Sequence, residues 1–414
     1  MLSQNHSFQV VGKQAESIYF AAYVLPGDYR LPDGLEAARE RAGLQPDAVY
    51  WGWQGRVWNE APDGGMRSGP GELLFQVRRG GSRSGYFFVM RNDDLSIEAV
   101  REAGYSQPSI YVQLRARLVW MLGYEVAVAF ALEVVEQMFG RVNSASLSRV
   151  DLTVDLTGWP VCVEDGARFV SRSRKRATNV KMDLSLDRVY DSAAGFTGFE
   201  FSKGAPLSCR IYDKQAEIKA NKTKTWFYRI WRENGWDRKQ RVWRIEYQIR
   251  REVLRELGFA GEAVGDLEKL DSTWRYLTED WMRYCVPRGA RRSRWETAPA
   301  WKAVQGAVWN VRADEAAVRR ADQRPPEREH LRLMLLGVGS SYAAGYGARD
   351  TAGVVEMFSA AMGRMAPGEM EAVLDLKRRK FAGLSVVKDT PTAQGRELLD
   401  FDAISEKLIG LSED

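Results

Sequence analysis

Apolar and polar residues alternate with a period of two in three stretches near the middle of the chain. In residues 149–156, Val150, Leu152, Val154 and Leu156 fall on one side, and Arg149, Asp151, Thr153 and Asp155 on the other. In Leu207–Asp213, Leu207, Cys209 and Ile211 lie opposite Ser208, Arg210 and Tyr212, with Lys214 just beyond. In residues 242–250, Trp243, Ile245, Tyr247 and Ile249 lie opposite Arg244, Glu246, Gln248 and Arg250. Side chains of a strand point alternately to the two faces of its sheet, so this pattern predicts three half-covered antiparallel strands.

Shorter strand signals cover residues 17–24, 49–58, 73–77, 85–90, 109–117 and 197–202, with loop chemistry at 61–65 and 68–71. Residues 96–103 read as a short helix. Residues 118–139 read as one amphipathic helix stopped by Gly140, and 216–234 as a helix carrying Trp226, Tyr228 and Trp231. From Ala263 the period becomes helical: Leu267, Leu270, Trp274, Leu277 and Trp281 make one buried stripe. Residues 331–336, 351–365 and 368–381 read as further helices. The expectation is an α+β fold, a central antiparallel sheet backed by helices, followed by a helical C-terminal region. Residues 1–100 form the strand-rich start of the catalytic region, 101–305 its sheet-borne core, and 306–414 a helical domain. The sequence shows no internal repeat.

A chain of 414 residues can form two or three domains with their own cores. It is 45% hydrophobic and 28% charged, with a mean hydropathy of −0.39. It has no run of eighteen apolar residues, and its first residues lack the pattern of a signal peptide. The expected location is the cytoplasm, with no membrane partner. Three cysteines (Cys162, Cys209 and Cys285) form no C-x-x-C pair, which argues against a disulfide framework or a zinc knuckle. Only two histidines occur, His6 and His330. The H-x-H clamp of many nicking enzymes and the H-E-x-x-H motif are therefore excluded. Any metal must be held by carboxylates, which favours Mg²⁺ or Mn²⁺ over Zn²⁺.

The net charge of +5 says less than its distribution. Arg168, Arg172, Arg174, Lys175, Arg176 and Lys181 follow one another with no acidic residue between, and Arg288, Arg291, Arg292 and Arg294 precede Trp295. Most charge runs are solvated faces; runs with serines and aromatics nearby also suit a groove that tracks phosphates. Arg172, Arg174, Lys175, Arg176, Arg291 and Arg292, with Arg149 and Arg244 on the strands, are the candidate DNA contacts. Residues 336–347 lack the spacing of a nucleotide-binding loop, so a helicase would be a separate partner.

If the three alternating strands share one sheet, a single face collects Asp151 and Asp155, Arg210, Tyr212 and Lys214, and Arg244 and Glu246. An exposed face of ordinary salt bridges also accounts for that pattern. The chemical reading is sharper. A tyrosine hydroxyl, with a pKa near 10, is a poor nucleophile at neutral pH. A divalent cation held by two or three carboxylates would polarise a phosphate for in-line attack. Arg210 and Lys214 would lower the phenol pKa or hold non-bridging oxygens. Attack by tyrosine leaves a covalent phosphotyrosyl end.

Three segments also carry a resemblance. Ser148-Arg149-Val150-Asp151-Leu152-Thr153-Val154-Asp155, Arg210-Ile211-Tyr212-Asp213-Lys214-Gln215-Ala216-Glu217 and Val242-Trp243-Arg244-Ile245-Glu246-Tyr247-Gln248-Ile249-Arg250 resemble, in order and spacing, the replication initiation factor family of rolling-circle plasmids, filamentous phages and related conjugative elements. Ile110-Tyr111-Val112-Gln113-Leu114-Arg115 with Trp120, and Trp274-Arg275-Tyr276-Leu277-Thr278, extend the similarity, which spans roughly residues 80 to 305. The resemblance implies a metal-dependent, histidine-free nickase with Tyr212 as nucleophile and Asp151, Asp155 and Glu246 as ligands of Mg²⁺ or Mn²⁺. It implies a DNA partner (an origin hairpin or single-stranded nick site), a host helicase and polymerase, and a possible homodimer. The implied function is origin-specific nicking that starts rolling-circle replication and leaves a free 3′-hydroxyl. A conjugative relaxase with the same chemistry and a non-catalytic DNA-binding regulator are the alternatives.

Where many relatives have a tyrosine-glycine pair in the preceding strand, this chain has Phe199 to Ser202, which leaves Tyr212 without a competitor there. Tyr247 is the other candidate, but its parity puts it on the apolar side. Asp213 has the wrong parity as well, and it and Glu217 read as surface residues. Trp226, Trp231, Trp236 and Trp243 are candidates for base stacking or, more simply, for core packing.

Overall fold

The computed structural model describes residues 8–44, 49–60, 66–105, 107–173, 176–180, 196–259, 261–309, 316–319 and 345–364, with positions 339, 342, 371 and 374. The helices expected at 331–336 and 368–381, like Arg174, Lys175, Lys181 and the two histidines, lie outside the described residues. The chain divides into two compact units, Met1–Asp322 and Gln323–Asp414. In the second, residues Thr351–Met362 form a helix whose first turn is capped by Asp350, which accepts from the Gly353 N–H at 2.8 Å.

The first unit is built on one eleven-stranded sheet in which every neighbouring pair is antiparallel. In chain order its strands are β1 (Gln9–Val24), β2 (Tyr50–Glu60), β3 (Met66–Val77), β4 (Phe88–Arg91), β5 (Leu95–Ala99), β6 (Ile110–Leu114) and β7 (Val142–Thr157). A short β8 (Phe169–Ser171) belongs to a separate small sheet, and β9 (Arg176–Val180), β10 (Phe196–Phe201), β11 (Leu207–Asp213) and β12 (Trp243–Arg250) return to the large one. The large sheet runs β2-β3-β4-β5-β6-β1-β7-β12-β11-β10-β9. β13 (Met282–Val286) and β14 (Glu296–Thr297) complete the small sheet with β8. The α+β architecture expected from the pattern is present, and the strands before residue 100 lie in the same sheet as the later ones.

The apolar faces of β7, β11 and β12 bury Val150, Leu152, Val154, Cys209, Ile211, Ile245, Tyr247 and Ile249. Helix α1 (Leu35–Leu44) adds to the same core under β2 and β3, and α2 (Ala116–Leu122) and α3 (Tyr124–Phe139) contribute Val119, Val128 and Val135. The stripe Leu267, Leu270, Trp274, Leu277 and Trp281 is buried there as expected. Tyr247 packs edge-on against Trp274 and Trp281, and its hydroxyl donates to the Leu277 carbonyl at 3.2 Å. Tyr247→Phe should therefore cost only about 1 kcal/mol of stability, read by urea unfolding, and leave activity unchanged.

Three local expectations are corrected. Residues 96–103 were read as a helix, yet Leu95–Ala99 is strand β5, held between β4 and β6. Leu95, Ile97 and Ala99 are fully buried in that place, and cross-strand pairing outweighs the helical propensity of the segment. The single helix expected over 118–139 is two, bent by 118° at Gly123, whose φ of 80° few other residues tolerate. The helix expected over 216–234 is also two: α4 (Lys214–Asn221) ends at Lys222 in left-handed conformation, and α5 (Phe227–Glu233) starts afresh. Among the described residues no single helix is long and apolar enough to cross a membrane.

Candidate active site

Backbone register brings the polar faces of the three alternating strands together. Tyr212 on β11 stands opposite Arg244 on β12, which stands opposite Asp155 on β7. In the next row Arg210 faces Glu246, and beyond it Gln248 faces Asp151. The close fit of β10 to β11 at Tyr212 depends on Gly198, its direct partner, at φ 148°. A Cβ there would lie 2.0 Å from the Ile211 carbonyl oxygen and 2.8 Å from the Tyr212 Cα.

Tyr212 is half-buried, and its hydroxyl donates to Glu246 Oε2 at 2.9 Å. The other Glu246 oxygen accepts from Arg210, whose side chain reaches it from the exposed side. Lys214, with no exposed surface, directs its ammonium to the Tyr212 oxygen at 3.4 Å and to Glu217 at 2.5 Å. Burial pushes the Tyr212 phenol well above its ordinary pKa, and the Glu246 charge pushes it further, against the opposing effect of Arg244. A neighbouring cation, Arg244, does act to lower it, but burial and the nearby carboxylate outweigh that pull. The phenol is neutral at pH 7, and its proton points at a carboxylate. Burial also lowers the pKa of Lys214, as does the like charge of Arg244.

Below this layer lies a carboxylate that the alternation did not disclose. Glu16, 7% exposed, sits where β1 slips its register against β7 between Ala15 and Ser17. A bulge of this kind re-aims one side chain, here toward the site. Glu16 pairs with Arg244, Lys224 and, at 3.5 Å, Lys214. Burial alone would raise its pKa, but those three cations hold it at about 2. Because the folded value lies below the ordinary value of 4.5, Glu16 stabilises the fold above pH 4.5, and that contribution is lost as pH falls toward about 2. Glu16→Gln should flatten the fall of the thermal midpoint across this window and lower stability at neutral pH, both read by circular dichroism. An unchanged slope would show that Glu16 does not carry the acid sensitivity.

The three proposed metal ligands are not equivalent. Among the described residues no group of three or more carboxylate, histidine or cysteine side chains could hold a metal ion. Asp155 has no exposed surface; it takes two bonds from Arg244 at 2.6 and 2.7 Å and one from the Trp231 indole at 2.8 Å. Both its oxygens are used, and it does not fit as a metal ligand. Asp151 takes two bonds from Arg149, at 2.8 and 2.6 Å. Burial raises its pKa to about 6 against the pull of Arg149, and the nearby Glu246 charge adds to the rise. Asp151 and Glu246 are thus two acids crowded enough to repel, each covered by an arginine that reaches in from solvent. Both oxygens of Asp151 and of Glu246 are likewise engaged, by Arg149 and by Arg210 and Tyr212, so a cation would have to displace an arginine to reach them.

The basic residues divide as well. Arg149 and Arg210 stand beside the site, but Arg244 is fully buried and its guanidinium is used by Asp155 and Glu16, so it has no surface to offer DNA. Arg176 and Arg292 both donate to the Phe169 carbonyl, at 3.2 and 2.9 Å. The Phe169 ring packs on Phe199 and Phe201, which belong to the apolar side of the sheet, away from Tyr212. Arg291 is exposed in the same loop as Arg292, and Arg172 lines a cleft with Lys203 and Trp281. Among the described residues of the two basic runs, Arg176 and Arg292 are therefore held away from the tyrosine.

No family model matches the chain, and no curated protein does. Among solved structures, the rolling circle replication initiator protein from Geobacillus stearothermophilus is similar in part. The match has 13% identity, covers 75% of this chain and 100% of that one, and has a TM-score of 0.41.

Proposed function

We propose that this protein nicks DNA by tyrosine transesterification, with Tyr212 as the nucleophile, in the initiation of rolling-circle replication. The observation that carries the reading is the Tyr212 hydroxyl donating to Glu246 inside a cluster of paired charges. Three sequence segments supply that cluster, and they are the ones that resemble replication initiation factors. The proposal rests on these residues and not on the remote structural likeness.

In this account the Tyr212 oxygen attacks the phosphorus of one phosphodiester, and its proton passes to Glu246 as the bond forms. The P–O3′ bond breaks, leaving DNA joined to Tyr212 through its 5′ phosphate. The departing 3′ oxygen takes a proton from solvent. A phenol with a raised pKa needs such a base, because proton transfer during attack replaces prior ionisation. Lys214 stabilises negative charge on the tyrosine oxygen, and Arg210 is placed to meet the phosphate. A Mg²⁺ or Mn²⁺ ion would be held by Asp151 and Glu246 and would supply Lewis-acid polarisation of the phosphate.

Incubation with supercoiled origin DNA and Mg²⁺ or Mn²⁺ tests the reading: it predicts open circles carrying covalently bound protein. Failure to form any nicked circle would favour a DNA-binding regulator. Asp151→Asn should raise the metal concentration needed for half-maximal nicking by about tenfold or more. An unchanged metal requirement would remove Asp151 from the ligand set.

A further inference from the structure

The connection between β11 and β12 does more than join two strands of the site. Residues 214–241 hold nine lysines and arginines against three carboxylates, interleaved with Trp226, Phe227, Tyr228, Trp231 and Trp236. Helices α4 and α5 of this segment pack over the polar face of the sheet. There Phe227, Trp231 and Trp236 form a second hydrophobic cluster, separate from the main core, with Val11, Ile218 and Val242. Three aromatics at its margin, Trp120, Trp226 and Tyr228, are only partly buried.

The cluster leads outward from the nucleophile in short steps. The Lys214 ammonium lies 5.1 Å from the Phe227 ring centre, and the Arg244 guanidinium 4.3 Å from it. Trp226 stacks on Phe227 at 3.9 Å and 26°, and Trp120 stands 6.4 Å from Trp226. The same connection carries left-handed backbone. Among the described residues, four other than glycine have positive φ, and three are cations of this connection: Lys222 at 52°, Lys224 at 59° and Arg238 at 65°. Left-handed backbone is costly for such residues and tends to occur where function requires a position. Here it holds Lys224 on Glu16 beside the site and leaves Lys222 exposed.

We propose that Trp226 and Trp120 are a stacking platform for unpaired bases next to the scissile phosphate, with Lys222 meeting the strand's backbone. The occupant follows from the chemistry. An aromatic–basic surface fits a polyanion with exposed ring faces, which an unpaired strand offers and a duplex, with its bases already stacked, does not. The inference rests on the nicking reading for its substrate and assigns the residues that hold that substrate's bases.

The test uses the full chain carrying Tyr212→Phe, so that binding is read without cleavage. Fluorescence anisotropy with a labelled unpaired origin oligonucleotide, and with the same sequence as a duplex, should show tighter binding of the unpaired strand. Trp226→Leu should weaken that binding about tenfold and leave duplex binding unchanged. Lys222→Gln, an exposed change, should reduce the salt dependence of binding by about 0.7 in the log–log slope. Equal binding of the two forms would overturn the proposal. So would a Trp226→Leu protein with unchanged thermal unfolding that holds the unpaired strand as tightly as its parent. If Trp226→Leu does not fold, an unaltered salt slope in Lys222→Gln decides against the platform. Because none of these measurements needs a covalent product, failure of the nicking reading would leave them interpretable.

Discussion

Tyr212→Phe is expected to abolish nicking, by on the order of 10⁴-fold or more, while DNA binding persists. The substitution removes one oxygen and nothing of the ring. Arg210 still holds Glu246, and Lys214 keeps Glu16 and Glu217, so the charge cluster stays assembled. What disappears is the atom that would form the bond to phosphorus. Tyr247→Phe is the matched control, since its hydroxyl donates to the Leu277 carbonyl on the opposite face. Nicking by Tyr212→Phe together with its loss in Tyr247→Phe would transfer the nucleophile to the other side of the sheet.

Asp155→Asn is expected to show its effect in stability. The pair with Arg244 is completely buried, and the amide would leave a buried guanidinium facing N–H groups where it now has a carboxylate. Removing one partner of a buried pair typically costs about 3–5 kcal/mol, and because Arg244 keeps Glu16 the loss should fall toward the lower end of that range. That is a large part of the stability of a typical domain, and it should appear as a lower urea midpoint. If stability is unchanged and the requirement for Mg²⁺ or Mn²⁺ rises, Asp155 returns to the ligand set and the structural role assigned to it is wrong.

How far these residues could be read from sequence depends on what places each one. Parity in 149–156, 207–213 and 242–250 was enough to separate Tyr212 from Tyr247 and to put the charged residues on one face. Parity cannot say which charge meets which, because partners across strands follow from register. Arg244 therefore looked like a surface contact until β12 was set against β7, where it meets Asp155. Glu16 was hidden by the opposite problem. Its strand slips at that position, so the alternation that marks a strand breaks where the site draws on it. The join between α4 and α5 was missed because Lys222 takes a backbone conformation usually left to glycine or asparagine, and nothing in a lysine announces it. The basic runs were visible as composition, but sequence did not show that Arg176 and Arg292 are held by the Phe169 carbonyl on the far side of the sheet.

The central claim is a covalent bond between DNA and one named atom. Mass spectrometry of protein trapped on a labelled nick-site oligonucleotide, after digestion, reads that bond directly. The account predicts a nucleotide adduct on the peptide containing Tyr212, absent from Tyr212→Phe. An adduct on any other residue, or cut DNA with no adduct at all, would contradict it.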